Sequence, residues 1–301
     1  MRFVTFTHGG ETRAGVLTGD AGHADDIIHD LAHPAQRGAL GGTAPELQQM
    51  LERGLGDVVA AIAAHGLANE AGMRRGELKL LAPIPVPRRI FGIAHNYKDA
   101  LRERGMAPPG DPVQFDKFGS TVIATGEPIV LPKGIGGVTY EAELAAVIGR
   151  GGENIDPDAA LDHVAGYAAF NDISASELIK RDGTFVRGKN LPSFGPFGPY
   201  LASADEIEDP QRLRVWLDMD DQHLQDSTSA EMLFDVATLI SILSTQTRLE
   251  PGDVIATGTP AGVAPVRTPP TWLRPGALVK MGVEGLGQLE NPVVEGPPLN
   301  D

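Results

Sequence analysis

The apolar stretches of this chain are short, and glycine or proline closes most of them, as in "RIFGIA", "PIVLP", "ELAAVIG", "DVIATG" and "ALVKMGVEG". Glycine costs backbone entropy inside a regular element, and proline lacks the N–H that helix and sheet ladders need. A sequence with 37 Gly and 24 Pro among 301 residues therefore leaves little room for long helices. The runs between these breaks have strand length, which predicts a mixed α+β fold that is mostly β. Helical spacing is confined to a few segments: residues 45 to about 72, "NYKDALRERG", "DPDAALDHV", "SASELIKRDG" and "SAEMLFDVATLISILSTQT".

Three prolines in "LLAPIPVPRRI" place a linker near residue 85. Residues 1–80 then form a small N-terminal α/β domain that opens with a hairpin around His8-Gly9-Gly10, and residues 81–301 form the main domain. The absence of cysteine excludes disulfides, a thiol nucleophile and Cys-built metal sites, so any metal must be held by carboxylate or histidine. A formal charge of −15 argues against nucleic acid as a partner. No stretch reaches the roughly 18 apolar residues of a membrane helix, and no signal-peptide run opens the chain, so a cytoplasmic protein with no membrane partner is expected.

Against this background the stretch "YEAELAAVIG" is anomalous, because Glu141 and Glu143 sit two apart at the head of an apolar strand. Strand side chains alternate, so both acids share a face with Ala145 and Val147, while Leu144, Ala146 and Ile148 take the other. Asp172 ends the apolar run "GYAAFND", and Asp253 lies in the Pro-Gly-Asp turn of "EPGDVIATG", where a role in satisfying backbone donors is expected. Unpaired carboxylates in a core are costly. Either each acid has an Arg or Lys partner, or Glu141, Glu143 and Asp172 share a cation such as Mg²⁺ or Mn²⁺, which prefer open, oxygen-rich sites. The loops "FVRGKNLPSFGPFGPY", with Arg187 and Lys189, and "ATGTPAGV" read either as anion-binding loops or as turn-rich connections.

Taken together and in order, "IFGIAHNYKDALRE", "VTYEAELAAVIGR", "HVAGYAAFNDISASEL", "FVRGKNLPSFGPFGPY", "SAEMLFDVATLISILS" and "LEPGDVIATGTPAGV" resemble the fumarylacetoacetate hydrolase family, over residues from about 80 to 295. The resemblance is to its acylpyruvate hydrolase and 2-hydroxymuconate-type isomerase and decarboxylase branch. It implies a β-roll catalytic domain, often a homodimer, holding one Mg²⁺ or Mn²⁺ through Glu141, Glu143 and Asp172. It also implies that Lys189 and Thr259 meet the substrate, and that Asn96 and Tyr97 open a lid segment. Substrates in the family are 2-oxo acids with a second carbonyl, or their enols, which pass through an enolate that can end in C–C hydrolysis, isomerisation or decarboxylation.

The chain departs from its relatives where they activate water and where they contact substrate. Ala100 stands where many hydrolytic members carry His, although Glu103 of the same dyad remains; Ser176 and Ile179 stand where relatives carry Arg and Gln. His95 is either a base from a shifted position or a strand-end residue packed on the sheet, and His163 reads as structural. Lys180, Arg181 and Arg187 are the cations that would replace the missing Arg. The leading expectation is hydrolysis of an acylpyruvate-type acid, with Glu103, Lys189 and His95 as catalytic candidates and Tyr97, Lys189, Thr259 and Arg187 against substrate. Isomerisation or decarboxylation is the alternative, and a metal-binding accessory protein without turnover is the reading from another class.

Overall fold

Two apolar faces run along the strand Ala142–Ile148, and the fold covers both. A computed structural model of the chain describes residues 1–19, 23–38, 40, 42 and 46–299. Ala142, Leu144, Ala146 and Ile148 enter one buried cluster, and Ala145 and Val147 enter a second on the opposite face. The strand is also paired on both edges, with Val164–Asn171 and with Val254–Ala256, both antiparallel. A strand enclosed on four sides can aim a carboxylate with little freedom.

From that centre a 12-stranded sheet extends both ways. On one side lie Val164–Asn171, Gly195–Ser203, Arg2–His8, Glu11–Thr18, Ile27–Asp30 and Gly72–Arg74; on the other lie Val254–Ala256, Ile90–Ala94 and Val113–Lys117. A five-stranded sheet runs in the order Gln222–Thr228, Arg214–Met219, Leu278–Val283, Gln288–Gly296, Ile129–Pro132. Its Leu217, Met281 and Leu289 join Leu144 and Ile148 in the first cluster. The architecture is mixed α+β with strands dominant, as the density of chain breaks predicts.

The hairpin forms as expected, with Arg2–His8 paired to Glu11–Thr18 and positive φ at Gly9 and Gly10. Residues 1–80 do not close a sheet of their own. Arg2 and Phe3 pair with Ala202 and Leu201, and Phe3, Leu47, Met50 and Leu51 share the second cluster with Ala145, Phe170 and Phe197. The helical segment is two helices, Leu47–Arg53 and Leu55–His65, divided at Gly54, whose φ is 101°. Pro45 at its start lies outside the described residues, as do residues 300 and 301 at the end of the 81–301 span.

Two other segments differ from their sequence reading. In "SAEMLFDVATLISILSTQT" the helix begins only at Val236, because the Asp235 side chain accepts the Thr238 N–H and caps it. Met232 precedes it in an isolated bridge to Tyr97, and Leu233 N–H donates to the Asn96 carbonyl at 2.7 Å. The helix spends Val236, Leu239, Ile240 and Leu243 on the chain's own core. The "FVRGKNLPSFGPFGPY" segment is not a loop throughout: Val186–Lys189 is one helical turn and Gly195–Ser203 is a fully buried strand. Its prolines hid it, and the sheet admits them beside a register shift between Tyr167 and Ala169.

Candidate metal centre

The ladder register brings the acids together. Ala142 lies opposite Asn171, so Glu141 and Asp172 flank one rung at the sheet's end. Asp172 N–H donates to the Glu141 carbonyl at 2.9 Å, and Asn171 Oδ1 accepts the Glu141 N–H at 3.0 Å. One carboxylate oxygen from each of Glu141, Glu143 and Asp172 then lies within 4.8 Å of the others. Glu143 and Asp172 are each 1% exposed, while Glu141 is half-buried and lines a cavity.

Two buried lysines face this trio. Lys189 Nζ donates to Glu141 Oε2 at 2.7 Å and to Asp172 Oδ2 at 2.5 Å, and lies 4.7 Å from the centre of the Phe115 ring. Lys117 Nζ donates to the Lys189 carbonyl at 2.5 Å and pairs with Asp172 Oδ1 at 2.7 Å, although that oxygen accepts no aligned hydrogen bond. Burial pushes the Asp172 carboxyl up, but the two ammonium groups outweigh it and hold it below the usual range. Burial lowers the Lys117 ammonium, with Asp172 opposing, whereas for Lys189 the three acids outweigh burial and raise it.

Glu143 is the acid these lysines leave short. Its one hydrogen bond among the described residues is from Gly258 N–H, at 2.9 Å. Burial, then the charge of Asp172, raises its carboxyl well above the ordinary range. Gly258 is required there: its φ is +99°, and a Cβ would come within 2.9 Å of both Asn96 Cβ and the Ile93 carbonyl. Three carboxylates against two ammonium groups, with one buried acid in no ion pair among the described residues and one oxygen lacking an aligned donor, suit an added divalent ion. The donors are all oxygen and one side opens on the cavity, so Mg²⁺ or Mn²⁺ fits.

Lys117→Met is expected to destabilise the protein by about 3 kcal/mol in urea melts, since breaking a buried pair leaves its partner uncompensated. An unchanged midpoint would show that Lys189 alone neutralises Asp172.

The cavity beside the trio has a volume of about 330 Å³. Glu141, Lys189, Thr139, Ser174 and Thr259 form its polar wall; Ile93, Leu101, Ile179, Phe185 and Val263 form an apolar one. Thr259 Oγ1 donates to the Ala142 carbonyl at 3.0 Å and accepts from Gln225 Nε2 at 2.9 Å, which fixes the hydroxyl at the head of the acidic strand. His95 also lines the cavity. It is a non-glycine residue with φ of 60°, between the strand Ile90–Ala94 and the helix Lys98–Arg104. Burial first, then the charges of Arg104 and Lys189, lowers its pKa, so the ring is neutral at pH 7.

The remaining candidates lie elsewhere. Tyr97 is fully buried and outside the cavity wall; burial and then Glu143 push its phenol pKa up. Glu103 is exposed, and its carboxylate accepts the Gly262 N–H at 2.9 Å. Arg187 faces away, held by a two-point pair to Asp182 that Arg181 shares. Asn96 bonds the Thr257 and Phe234 carbonyls and the Phe234 N–H, tying the cavity segment to the strand end and to the approach of the Val236–Gln246 helix. His163 binds the Arg150 carbonyl, and Asp253 accepts the Glu250 N–H and pairs with Arg89, so neither joins the site. Ala100, Ser176 and Ile179 do line the cavity, with Lys180 at its exposed rim.

Sequence reasoning missed Lys117, Gln225 and Arg104. Buried Gln225 receives the Ala142 N–H on Oε1 and donates to the Pro260 carbonyl, joining the acidic strand to the "TGTP" loop. The available signals, a lysine ending the strand "VQFDK" and a glutamine in "HLQDST", are indistinguishable from surface residues without the fold.

A carboxylate trio that could hold a metal ion, a buried lysine and an adjoining cavity are consistent with a metal-dependent enzyme. Residues 89–294 match the family model described as fumarylacetoacetate (FAA) hydrolase, C-terminal, and the chain belongs to that family. A Burkholderia cenocepacia relative, named only in general terms as a hydrolase, is 42% identical over 215 residues, covering 71% of this chain and 76% of its own. The fumarylacetoacetate hydrolase of Exiguobacterium antarcticum superposes with TM-score 0.82 at 32% identity, over 98% of this chain and 100% of its own. Maleylpyruvate hydrolase from Sphingobium sp. SYK-6, in complex with manganese(II) and pyruvate, gives 0.78 at 28% over the same shares. The 2-hydroxyhepta-2,4-diene-1,7-dioate isomerase of Mycobacterium marinum gives 0.77 at 27%, over 98% of each chain.

Proposed function

We propose that this is a Mg²⁺- or Mn²⁺-dependent enzyme that takes a 2-oxo acid, or its enol, through an enolate and completes the reaction by proton transfer or loss of CO₂. Glu141, Glu143 and Asp172 would hold the ion, which when bound polarises the 2-oxo group and stabilises developing enolate charge. Lys189 Nζ, fixed by Glu141 and Asp172, and the Thr259 hydroxyl stand at the cavity wall where substrate oxygens meet the trio. Ile93, Leu101, Ile179, Phe185 and Val263 would shield the reacting carbon from water.

The observation that carries this reading is the lack of a free base for water. Among the described residues lining the cavity, Ala100 offers no side-chain nitrogen, Glu103 is absent, and His95 Nδ1 lies 3.3 Å from Arg104 Nη1. A guanidinium only donates, so Nδ1 accepts and the neutral ring carries its proton on Nε2. A proton-bearing Nε2 suits protonation of a carbanion better than deprotonation of water.

Hydrolytic C–C cleavage is the second reading. The observation for it is Glu103, bonded to Gly262 in the loop whose Thr259 and Val263 line the cavity. Its similarity to two hydrolases supports it as well. Incubation of the Mn²⁺-loaded protein with oxaloacetate, a 2-hydroxymuconate-type dienol and acetylpyruvate separates the two. CO₂ release, or an ultraviolet shift without cleavage, is expected; stoichiometric acetate and pyruvate from acetylpyruvate would establish hydrolysis instead.

A further inference from the structure

Three hydroxyls line the cavity beside the trio with their protons already committed. Thr259 Oγ1 donates to the Ala142 carbonyl at 3.0 Å, Thr139 Oγ1 to the Tyr140 carbonyl at 3.1 Å, and Ser174 Oγ to the Asp172 carbonyl at 2.8 Å. A carbonyl only accepts, so in each pair the hydroxyl is the donor. Two of the three also receive an N–H: Thr259 from Gln225 Nε2 at 2.9 Å, and Thr139 from the Ala264 backbone at 3.0 Å. A hydroxyl has one proton and two lone pairs, so each of these two keeps a single lone pair, and no proton, for a ligand.

Gln225 makes this assignment firm at Thr259. Its Oε1 receives the Ala142 N–H at 3.0 Å and its Nε2 donates to the Pro260 carbonyl at 3.0 Å, and neither backbone group can exchange roles. The amide therefore has one orientation, with its nitrogen toward Thr259. Gln225 is buried, whereas Thr259 is half-buried and borders the cavity. A ketone or carboxylate oxygen brought against the remaining lone pair meets like partial charge, while an O–H finds an acceptor. Turning the Thr259 proton toward a ligand would give up its bond to the Ala142 carbonyl.

We propose that Gln225 is a positioning residue that fixes the Thr259 hydroxyl as an acceptor toward the ligand, so that the site takes the 2-hydroxy (enol) form of its acid in preference to the 2-oxo form. This rests on the reading of the cavity as a site for 2-oxo acids or their enols, and adds which of the two is bound. The enol hydroxyl donates to Thr259 Oγ1; the 2-oxo form has no proton to offer there.

The test is calorimetric titration of the Mn²⁺-saturated protein with glycolate, whose 2-hydroxyl can donate, and with pyruvate, whose 2-oxo group cannot. Thr259→Val should weaken glycolate about fivefold, the order of one hydrogen bond, and leave pyruvate unchanged or tighter. Thr259→Ser, which keeps the hydroxyl, should keep the glycolate affinity. Gln225→Met frees the hydroxyl to turn and should tighten pyruvate relative to glycolate, whereas a merely loosened loop would weaken both. If Gln225→Met does not fold, the unlike responses expected in Thr259→Val still decide the proposal. Equal losses for the two acids in Thr259→Val, or a larger loss for pyruvate, overturn it and leave the 2-oxo acid reading standing, as does binding of pyruvate without glycolate. Failure of both acids to bind the Mn²⁺-loaded protein sinks that reading and the proposal with it.

Discussion

Glu143→Gln will abolish metal-dependent stabilisation and turnover while making the metal-free protein more resistant to heat at neutral pH. The two effects have opposite signs because one residue does two jobs. Without metal, Glu143 is a buried acid beside Asp172; the Lys189 charge and the Gly258 N–H support its ionised form, but burial and Asp172 outweigh them and hold its carboxyl well above the ordinary range. A raised native pKa means that the folded protein binds the extra proton. Stability is then full below the unfolded pKa of the acid and falls as pH rises toward the folded one. Glutamine keeps the Gly258 bond, removes the charge and flattens that slope, for a gain of about 1 kcal/mol, at the low end of what neutralising buried ions yields. With metal the sign reverses. Ion present at 100 times its Kd stabilises the intact trio by about 2.7 kcal/mol, and the variant should gain almost none of this. Thermal melts at pH 5 and 8, with and without Mn²⁺, read all four corners. A Mn²⁺-induced rise preserved in Glu143→Gln would mean that the ion is not held by this trio.

How much of this was legible in the sequence follows from which interactions are local. The strand-rich fold was readable because glycine and proline break elements where they stand, and the acidic strand because alternation is a local rule. Its two faces enter two different clusters, as the pattern required. The Gly195–Ser203 strand was not legible, since proline argues against a central strand and only the register shift in its neighbour accommodates it. The same division separates the site residues. Glu141, Glu143 and Asp172 stand out as acids in apolar runs. Lys117 and Gln225 stand 55 and 53 residues from Asp172, too far for any spacing rule, and each belongs to the site only through the sheets that carry it. Arg187 and Lys189 are two apart in one loop, and both are read from the sequence as substrate contacts. One turn of helix sends Lys189 into the trio and Arg187 outward to Asp182.

Ala100→His should confer or greatly raise C–C hydrolysis of an acylpyruvate, by the roughly 10²- to 10⁴-fold that a positioned general base contributes. Ala100 belongs to the first buried cluster and also borders the cavity, the side toward which an imidazole there would have to project. It would sit in the first turn of the helix Lys98–Arg104 and one turn before the guanidinium. The helix N-terminus and Arg104 both disfavour a cationic ring, which keeps it neutral and able to take a proton from water at pH 7. Glu103, three residues on, lies on the same side of the helix and could orient the new ring if it leaves the Gly262 N–H. The gain should therefore shrink in Ala100→His with Glu103→Gln, a coupling that a merely roomier or tighter cavity would not produce. Acetate release from acetylpyruvate measures it, with oxaloacetate decarboxylation as the internal reference. Should hydrolysis stay at the level of the unaltered protein in a folded, metal-binding variant, the vacancy at Ala100 does not decide the reaction, and the choice lies in how completely the apolar wall keeps water away.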